Sequence, residues 1–591
     1  MFRVGRRLRK RRAATKLSYR SFRPDEILVP LGCAPSKTFE KLMTSGRPRP
    51  FKQTKMSSNG LSFHHPFAFW LGCVAIIAGV LSHIPMFVCA ADMGYQMAGM
   101  SMDTSMLVGM GLIPVGLLFA AYGLMPRLGQ MRQNLHSSAP LHFHIADGVA
   151  LNREHWKLVI VLIIALTVDV MKPATLGFVM PGMTLEYGIS KTLAGYLPLV
   201  ALTGTTVGSI MWGYLADTFG RRAAILLSAL MFIGTAICGA MPSFEWNLVM
   251  CFLMGASAGG LLPITFTLMA EMIPATHRGW LLVALGGIGT SAGYLVAAGA
   301  ASVLEPLFSW RALWLLGLPT GALIIVLDRF IPESPRFLAN AGLTNQARAV
   351  LARFSGVIAQ ESSTEPQSAT AKAPRETTGM RQLLRGGHAG ISYGLIVGGI
   401  AWGLVNFGFL LWLPTNLREM GMDASTASAL LARSAFLALP GIALVILLYH
   451  RWSSIKTLVL FIALTTITLI AFVVMSVTGT QSATAMVIAT ALLLVSASGV
   501  IAILIPYAAE IYPVHLRATG SGMIAASSKL GGILGAAFGV LGVFSNIAVS
   551  AALIAIPLTI SAVMLLRSGI DTRGRRLEDI QDAVSRKSTP A

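Results

Sequence analysis

Hydrophobic positions in this chain gather into long unbroken runs, and polar positions are confined to the short intervals between them. A membrane-spanning helix needs ~20 mostly apolar residues. Runs of that size fall at 66–90, 104–125, 157–180, 194–214, 223–241, 246–269, 279–301 and 311–330, and again at 390–413, 426–449, 457–478, 484–508, 518–542 and 546–567. The pattern predicts an all-α membrane protein with about 14 transmembrane helices. One interval is different. Residues 339–388 are polar, with the low-complexity stretch Gln360-Glu361-Ser362-Ser363-Thr364-Glu365-Pro366-Gln367-Ser368 at their centre. This interval divides the last twelve spans into two sixes and leaves two spans ahead of them. The predicted organisation is a basic N-terminal extension (1–60), a two-helix hairpin with its linker (61–150), a six-helix bundle (151–338), a cytoplasmic linker (339–388), a second six-helix bundle (389–568) and a cytoplasmic tail (569–591).

Composition sharpens this reading. Charged residues make up 12% of the chain and hydrophobic residues 54%, against roughly 25% charged in a soluble protein. So few charges cannot cover a water-exposed surface, which excludes a soluble enzyme, a nucleic-acid binder and a disordered scaffold. The net charge of +21 is concentrated at one end: residues 1–55 contain 16 Lys/Arg and 3 Asp/Glu. The run Arg6-Arg7-Leu8-Arg9-Lys10-Arg11-Arg12 has the charge for anionic lipid, nucleic acid or a targeting sequence. Nothing aromatic or periodic organises it, so it reads as a solvated tail, with Met56 a natural start just ahead of the first apolar run.

The sign of the loops gives the orientation. With the N-terminus inside, the short cytoplasmic loops carry Arg127, Arg132, Arg153, Lys157, Arg221, Arg222, Arg278, Arg451, Lys456 and Arg517, and the outer loops only Lys191, Arg311 and Arg418. The expectation is a multi-pass inner-membrane protein, monomeric, with both termini cytoplasmic. The five cysteines form neither a CxxC pair nor a metal spacing, and no cofactor, disulfide or zinc site is expected.

The two halves echo one another. Glu271-Met272-Ile273-Pro274-Ala275-Thr276-His277-Arg278 joins two spans, and Glu510-Ile511-Tyr512-Pro513-Val514-His515-Leu516-Arg517 does the same 239 residues later. Parallel repeats of this kind place a substrate site between the halves, near the bilayer midplane. The earlier loop Gly213-Tyr214-Leu215-Ala216-Asp217-Thr218-Phe219-Gly220-Arg221-Arg222 has glycines for a tight turn and close approach, an aspartate able to sit at a helix N-terminus, and arginines to pair across the loop. It reads as a gate.

With Trp310-Arg311, Pro332-Glu333-Ser334-Pro335-Arg336, Trp412-Leu413-Pro414 and Thr572-Arg573-Gly574-Arg575-Arg576, this loop resembles the major facilitator superfamily over residues 150–580, in particular its sugar-porter and organic-acid branch. The resemblance implies a twelve-helix core of two six-helix bundles plus the extra hairpin. It also implies secondary transport by alternating access, and a gate built from Gly213, Asp217, Gly220, Arg221, Arg222, Glu271, Arg278, Glu333, Arg336, Glu510 and Arg517. The chain departs from the branch at Cys251, where an arginine is expected, and the Gly-Pro pattern of drug antiporters is missing from span 7.

Charges inside the spans point to the transport chemistry, since each costs ~2.5–3.5 kcal/mol at helix centre on insertion scales. Asp169 and Lys172 share one face of span 3 at i, i+3 and precede Pro173, which frees a backbone carbonyl. Lys529 lies midway along span 13, opposite Thr290 under the repeat, and Arg433 lies two turns into span 10. Asn406 is a further polar contact. Three cations against one anion predict a net cationic cavity and a carboxylate substrate, carried by proton symport with Asp169 as the proton carrier. A sugar or drug-like substrate is the alternative. No phosphate-binding G-x-x-x-x-G-K-[ST] motif is present to suggest ATP.

The hairpin adds one feature, the loop Met93-Gly94-Tyr95-Gln96-Met97-Ala98-Gly99-Met100-Ser101-Met102-Asp103 with His64, His65 and His83 nearby. Clustered thioethers suit Cu(I), and a transporter-derived sensor or metal-handling protein is a second reading. Methionines filling gaps in an apolar hairpin account for the same loop, and no metal ligands are assigned from sequence.

Overall fold

The computed structural model describes residues 65–124, 149–340, 343–355, 383–384, 388–479, 482–512 and 517–572. The N-terminal basic segment, the Met56 start, the 360–368 stretch and the tail motif beyond Thr572 lie outside the described residues. Among those described there are no strands, and 14 helices are long and apolar enough to cross a membrane. In chain order they are α1 (Pro66–Cys89), α2 (Thr104–Leu124), α3 (Arg153–Glu186), α4 (Lys191–Phe219), α5 (Arg221–Ala240), α6 (Phe244–Met272), α7 (Thr276–Phe308), α8 (Ala312–Phe330), α9 (Ala389–Glu419), α10 (Ala424–Arg451), α11 (Ser454–Thr478), α12 (Ala483–Ile511), α13 (Gly520–Val540) and α14 (Ile547–Ser568). Two short helices, Pro335–Asn340 and Thr344–Ser355, follow α8. Among the described residues, the turns after α4, α6, α8 and α10 share one end of the bundle, the basic end. The loops after odd-numbered helices share the opposite end.

Polar side chains fix where the helices begin. Asn152 accepts from the backbone N–H groups of Glu154 and His155, and His155 Nδ1 in turn accepts from Asn152 N–H, a reciprocal cap at the start of α3. Asp423 caps α10, Ser453 caps α11 and Asn546 caps α14 in the same manner. Several helices run past prolines that would end a helix in water. α3 contains Pro173 and Pro181 and continues for 34 residues, ten more than its apolar run; membrane helices tolerate such breaks where packing or local adjustment satisfies the freed carbonyls. In α9 the backbone widens into a π-helical turn at Val405–Leu410. Pro414 lies just beyond, and its missing N–H leaves the Leu410 carbonyl without its α-helical donor.

Glycines make the close helix crossings. A Cβ added to Gly255 would sit 1.9 Å from the Ala201 carbonyl oxygen, and one added to Gly208 would sit 2.1 Å from that of Ala256, so α4 and α6 meet backbone to backbone. Gly531 lies equally close to Ile400 on α9. Gly213 has nothing within 4 Å of where a Cβ would be. It lies inside α4 and makes neither turn nor close approach, contrary to the expectation from its loop.

The hairpin α1–α2 packs against α5, with Ile113 of α2 seated against Gly234. With the hairpin on one side and helices of its own bundle on the others, α5 is almost entirely buried. The loop joining α1 to α2 reaches the opposite end of the first bundle, where Met97 and Ala98 donate backbone hydrogen bonds to Glu186 Oε1 at 2.7 and 3.1 Å. Glu186 also pairs with Arg311 at 2.6 Å, and Trp310 Nε1 donates to its other oxygen. Arg311 is fully buried and further bonds Gly239 O, Met241 O and the Tyr187 hydroxyl. This arginine, which the sequence places among the outer loop charges, is therefore an interior clamp between α3, α5, α8 and the hairpin loop. Removing one partner of a buried pair costs ~3–5 kcal/mol. Arg311→Ala is expected to lower stability by that order, measured as the thermal unfolding of the full chain in detergent. A loss under ~1 kcal/mol would show the clamp to be dispensable.

Candidate functional site

Two regions gather the polar residues picked out in the sequence. The first is a cavity of about 140 Å³ between the bundles, lined on the first-half side by α3, α4, α6 and α7 and on the second-half side by α9, α12 and α13. Asp169 and Lys529 face it from opposite halves, together with Asn406, Thr290, Tyr294, Phe178, Trp402 and Phe407. Asp169 is brought there by the packing of α3 against α7, where Gly289 and Gly293 admit Leu166 and Val170. Lys529 is brought there by α13, whose glycines nest on α9, and its Nζ also lies 3.5 Å from Thr205 O of α4. Asn406 sits in the π-helical turn of α9, a distortion frequent at functional sites.

The other two intramembrane cations lie elsewhere. Lys172 pairs with Asp169 at 3.7 Å, as their spacing predicts, but it does not line the cavity. Its ammonium points back into the first bundle, 3.8 Å from the centre of the Phe232 ring on α5. Arg433 is exposed on α10 and is likewise not among the lining residues. Its place on the helix turns it outward, where a long cationic side chain reaches the interface. The cavity therefore holds one anion and one cation among its lining residues, with Lys172 as a supporting charge behind the carboxylate, in place of the three-cation cavity expected from the sequence.

Aromatic residues form much of the wall. Phe178 and Tyr294 are 5.9 Å apart, and Trp402 and Phe407 make an edge contact at 6.2 Å. Trp402 Nε1 is engaged by Ala497 O, whereas the buried Tyr294 hydroxyl has no partner among the described residues. These residues escape a sequence reading because an aromatic side chain facing a cavity looks the same, in a hydrophobic run, as one facing lipid. At 140 Å³ the space is small beside the ~300–1,000 Å³ of drug-sized sites.

The second region is at the basic end. Gly220, at φ 110°, turns the chain between α4 and α5, a conformation open to glycine. The turn presents the first N–H groups of α5 to Glu333, whose carboxylate accepts from Arg221 N at 2.7 Å, Arg222 N at 3.2 Å and Ser334 N at 3.0 Å. Glu333 therefore occupies the helix N-terminus that the sequence assigned to Asp217. Asp217 is exposed in the last turn of α4 and pairs with the Arg221 side chain at 3.2 Å. Arg221 also approaches Glu271 at 3.6 Å, and Arg222 Nε bonds Asp328 at 2.6 Å. Arg336 is exposed on the short helix after Glu333, and Arg278 bonds Ile273 O. The repeated loops of the two halves meet here: a Cβ on Gly279 would lie 3.0 Å from Glu510 Oε1, and Glu510 is bonded by Thr572. The side chain of Arg517 lies outside the described residues.

At the opposite end the halves are pinned by ion pairs between Lys191 and Glu419 and between Arg418 and Glu305. In between they touch through small residues, with Ser291 donating to Ser498 at 3.1 Å and Gly286 against Ala502.

Two six-helix halves around a charged cavity, with an arginine–glutamate cluster at one end, are the architecture of one transporter family, and its model, Major Facilitator Superfamily, matches residues 158–536. The chain belongs to the Major Facilitator Superfamily. It is thus a membrane transporter and not an enzyme. Among its relatives, the niacin transporter of Acinetobacter baylyi is 27% identical over 66% of this chain and 87% of its own length. The 4-hydroxybenzoate transporter of Pseudomonas putida is 28% identical over 65% and 86%. The xylose transporter of E. coli, in a partially occluded inward-open conformation, shares the fold with a TM-score of 0.57 at 16% identity, covering 72% of this chain and all of that one. The facilitator match begins inside α3, so the hairpin α1–α2 is an addition to it.

The arginine–glutamate cluster carries a pH dependence. Burial pushes the Glu333 carboxyl up to about 7, against the three backbone donors and the Arg221 charge, which pull it down. A value above the usual 4.5 means the folded protein holds this proton more tightly than the unfolded chain. The stability it contributes is complete below about pH 4.5 and is lost as pH rises through about 7. Wild-type thermal stability is expected to fall between about pH 5 and 8, and Glu333→Gln to remove that slope. An unchanged slope in the variant would assign it to another group.

Proposed function

We propose that this facilitator takes up a small aromatic monocarboxylate by proton symport. The observation that carries the reading is the placement of Asp169 and Lys529 on opposite walls of one small, aromatic-lined cavity. A buried ammonium needs an anion. With the cavity empty of substrate, Asp169 supplies that anion to both Lys172 and Lys529. A substrate carboxylate entering beside Lys529 takes over the pairing, its ring lying among Phe178, Tyr294, Trp402 and Phe407. A second negative charge now stands near Asp169, which favours proton uptake there. Substrate and proton together leave the net charge of the cavity unchanged, so the loaded carrier can pass between its two states.

The relatives support this substrate class, since niacin and 4-hydroxybenzoate are both small aromatic acids. The small cavity disfavours a drug-like solute. The basic loops orient both termini to the cytoplasm, and the bacterial relatives point to an inner membrane. We infer that the working unit is one chain, because both walls of the cavity come from it.

Two substitutions test the assignment in proteoliposomes given radiolabelled nicotinate or 4-hydroxybenzoate. Asp169→Asn is expected to abolish accumulation driven by a pH gradient while retaining exchange of labelled for unlabelled substrate. Lys529→Gln is expected to weaken binding ~10–100-fold, the loss of a charge-assisted hydrogen bond. Gradient-driven accumulation that survives in Asp169→Asn would refute the proton assignment.

A further inference from the structure

The hairpin holds a group of side chains that transport leaves unused. His83, in the last part of α1, is 2% exposed. Its Nδ1 lies 2.8 Å from Gly79 O. A carbonyl oxygen has no hydrogen to give, so Nδ1 carries the ring proton and Nε2 presents a bare lone pair. That Nε2 is buried and has no hydrogen-bond partner among the described residues. A lone pair buried without a partner is destabilising, a cost that a leucine at the same place would avoid.

Buried methionines lie one helical turn away on both arms of the hairpin. Met86 follows His83 by one turn, a turn closed by Phe87 N on His83 O. Across the hairpin, Gly79 backs onto Gly109, and the His83 ring carbon Cε1 lies 3.0 Å from where a Gly109 Cβ would be. Met106 is one turn from Gly109 on α2 and shares its buried face. The loop then brings in Met97. Gly94 and Tyr95 adopt positive φ, Tyr95 N bonds Ala90 O, and the next turn is anchored on Glu186 and on Pro242 O. Met86, Met97 and Met106 form one buried cluster, closed by Ala90 and Ala240, with Met100 and Phe87 at its edge. Met97 and Met106 are 0% exposed, whereas Met93 lies at the surface of the same loop.

We propose that this cluster is a binding site for a soft monovalent cation, Cu(I) or Ag(I), held by His83 Nε2 and the thioethers of Met86, Met97 and Met106. Thioethers are neutral, polarisable ligands that select Cu(I) over harder ions. A metal-binding imidazole usually donates its other N–H to a carbonyl or carboxylate, which fixes tautomer and ring orientation, and Gly79 O fills that role. The ligands bring no negative charge, which suits an ion of charge +1 better than a divalent one. The surface thioether of Met93 offers an arriving ion its first contact. The site is independent of the substrate cavity and does not rest on the proposed transport function.

The test uses the full chain in detergent under anaerobic, reducing conditions, loaded with Cu(I) or Ag(I), desalted and assayed for metal per chain. Wild type is expected to retain one ion. Copper-edge absorption should show sulfur neighbours and one nitrogen. The double variant Met86→Leu/Met106→Leu, which conserves core volume, and separately His83→Leu, should each lose at least tenfold in affinity with thermal unfolding near that of wild type. Cys89→Ser should bind as wild type does. Background retention by wild type, full retention by the leucine double variant, loss on Cys89→Ser, or equal retention of Zn(II) would each overturn the assignment.

Discussion

A carboxylate at the middle of a membrane protein persists only if cations share its surroundings, and the arrangement around Asp169 organises much of this molecule. Lys172 stands behind it at 3.7 Å and Lys529 faces the same cavity from the other half. Lys172 in turn needs a seat away from lipid, which the Phe232 ring on α5 provides. On its other side α5 is covered by the added hairpin. A line of contacts thus runs from the hairpin through α5 to the charge that supports the cavity carboxylate. The hairpin is also tied by backbone hydrogen bonds to the buried Glu186–Arg311 pair, so it belongs to the first bundle.

Between the halves the interface is of a different kind. Ion pairs pin the opposite end, where Lys191 meets Glu419 and Arg418 meets Glu305. Glycines, serines and alanines line the contact of α7 with α12. Small side chains let two surfaces slide with little repacking; of the two ion pairs, Lys191–Glu419 is exposed and cheap to part, whereas Arg418–Glu305 is mostly buried and is the firmer pin. Within each half the contacts are deeper, as in the backbone approach of α4 and α6. Stiff halves joined by a soft seam suit rigid-body rocking about a fixed site.

Long apolar runs were enough to find the 14 membrane helices seen among the described residues, because lipid demands the same length and composition of each. The i, i+3 spacing of Asp169 and Lys172 announced their pairing, and the absence of a repeat partner singled out Lys529. What could not be read was direction. Spacing puts Asp169 and Lys172 on one face but does not say which of them the packing of α3 turns to the cavity. Arg433 looked equivalent to Lys529 and is exposed. Arg311 looked like a loop charge, and only the approach of Glu186, 125 residues away in sequence, makes it interior. Glu333 displaced Asp217 at the start of α5 for the same reason, a contact set by distant folding and not by the local motif. The methionine loop stood out by composition, but only the fold shows three of the hairpin's methionines buried in one cluster and His83 packed across the hairpin beside Gly109.

The proposed transport step is an exchange of partners: a substrate carboxylate takes Lys529 from Asp169, and Asp169 then takes a proton. The direct measurement is proton uptake by the purified protein on adding nicotinate or 4-hydroxybenzoate in weakly buffered solution near neutral pH, followed with a pH dye. The account predicts net uptake, approaching one proton for each carboxylate bound, and none in Asp169→Asn even where that variant still binds. Carboxylate binding to wild type with no proton taken up, or with the same uptake in Asp169→Asn, would contradict it.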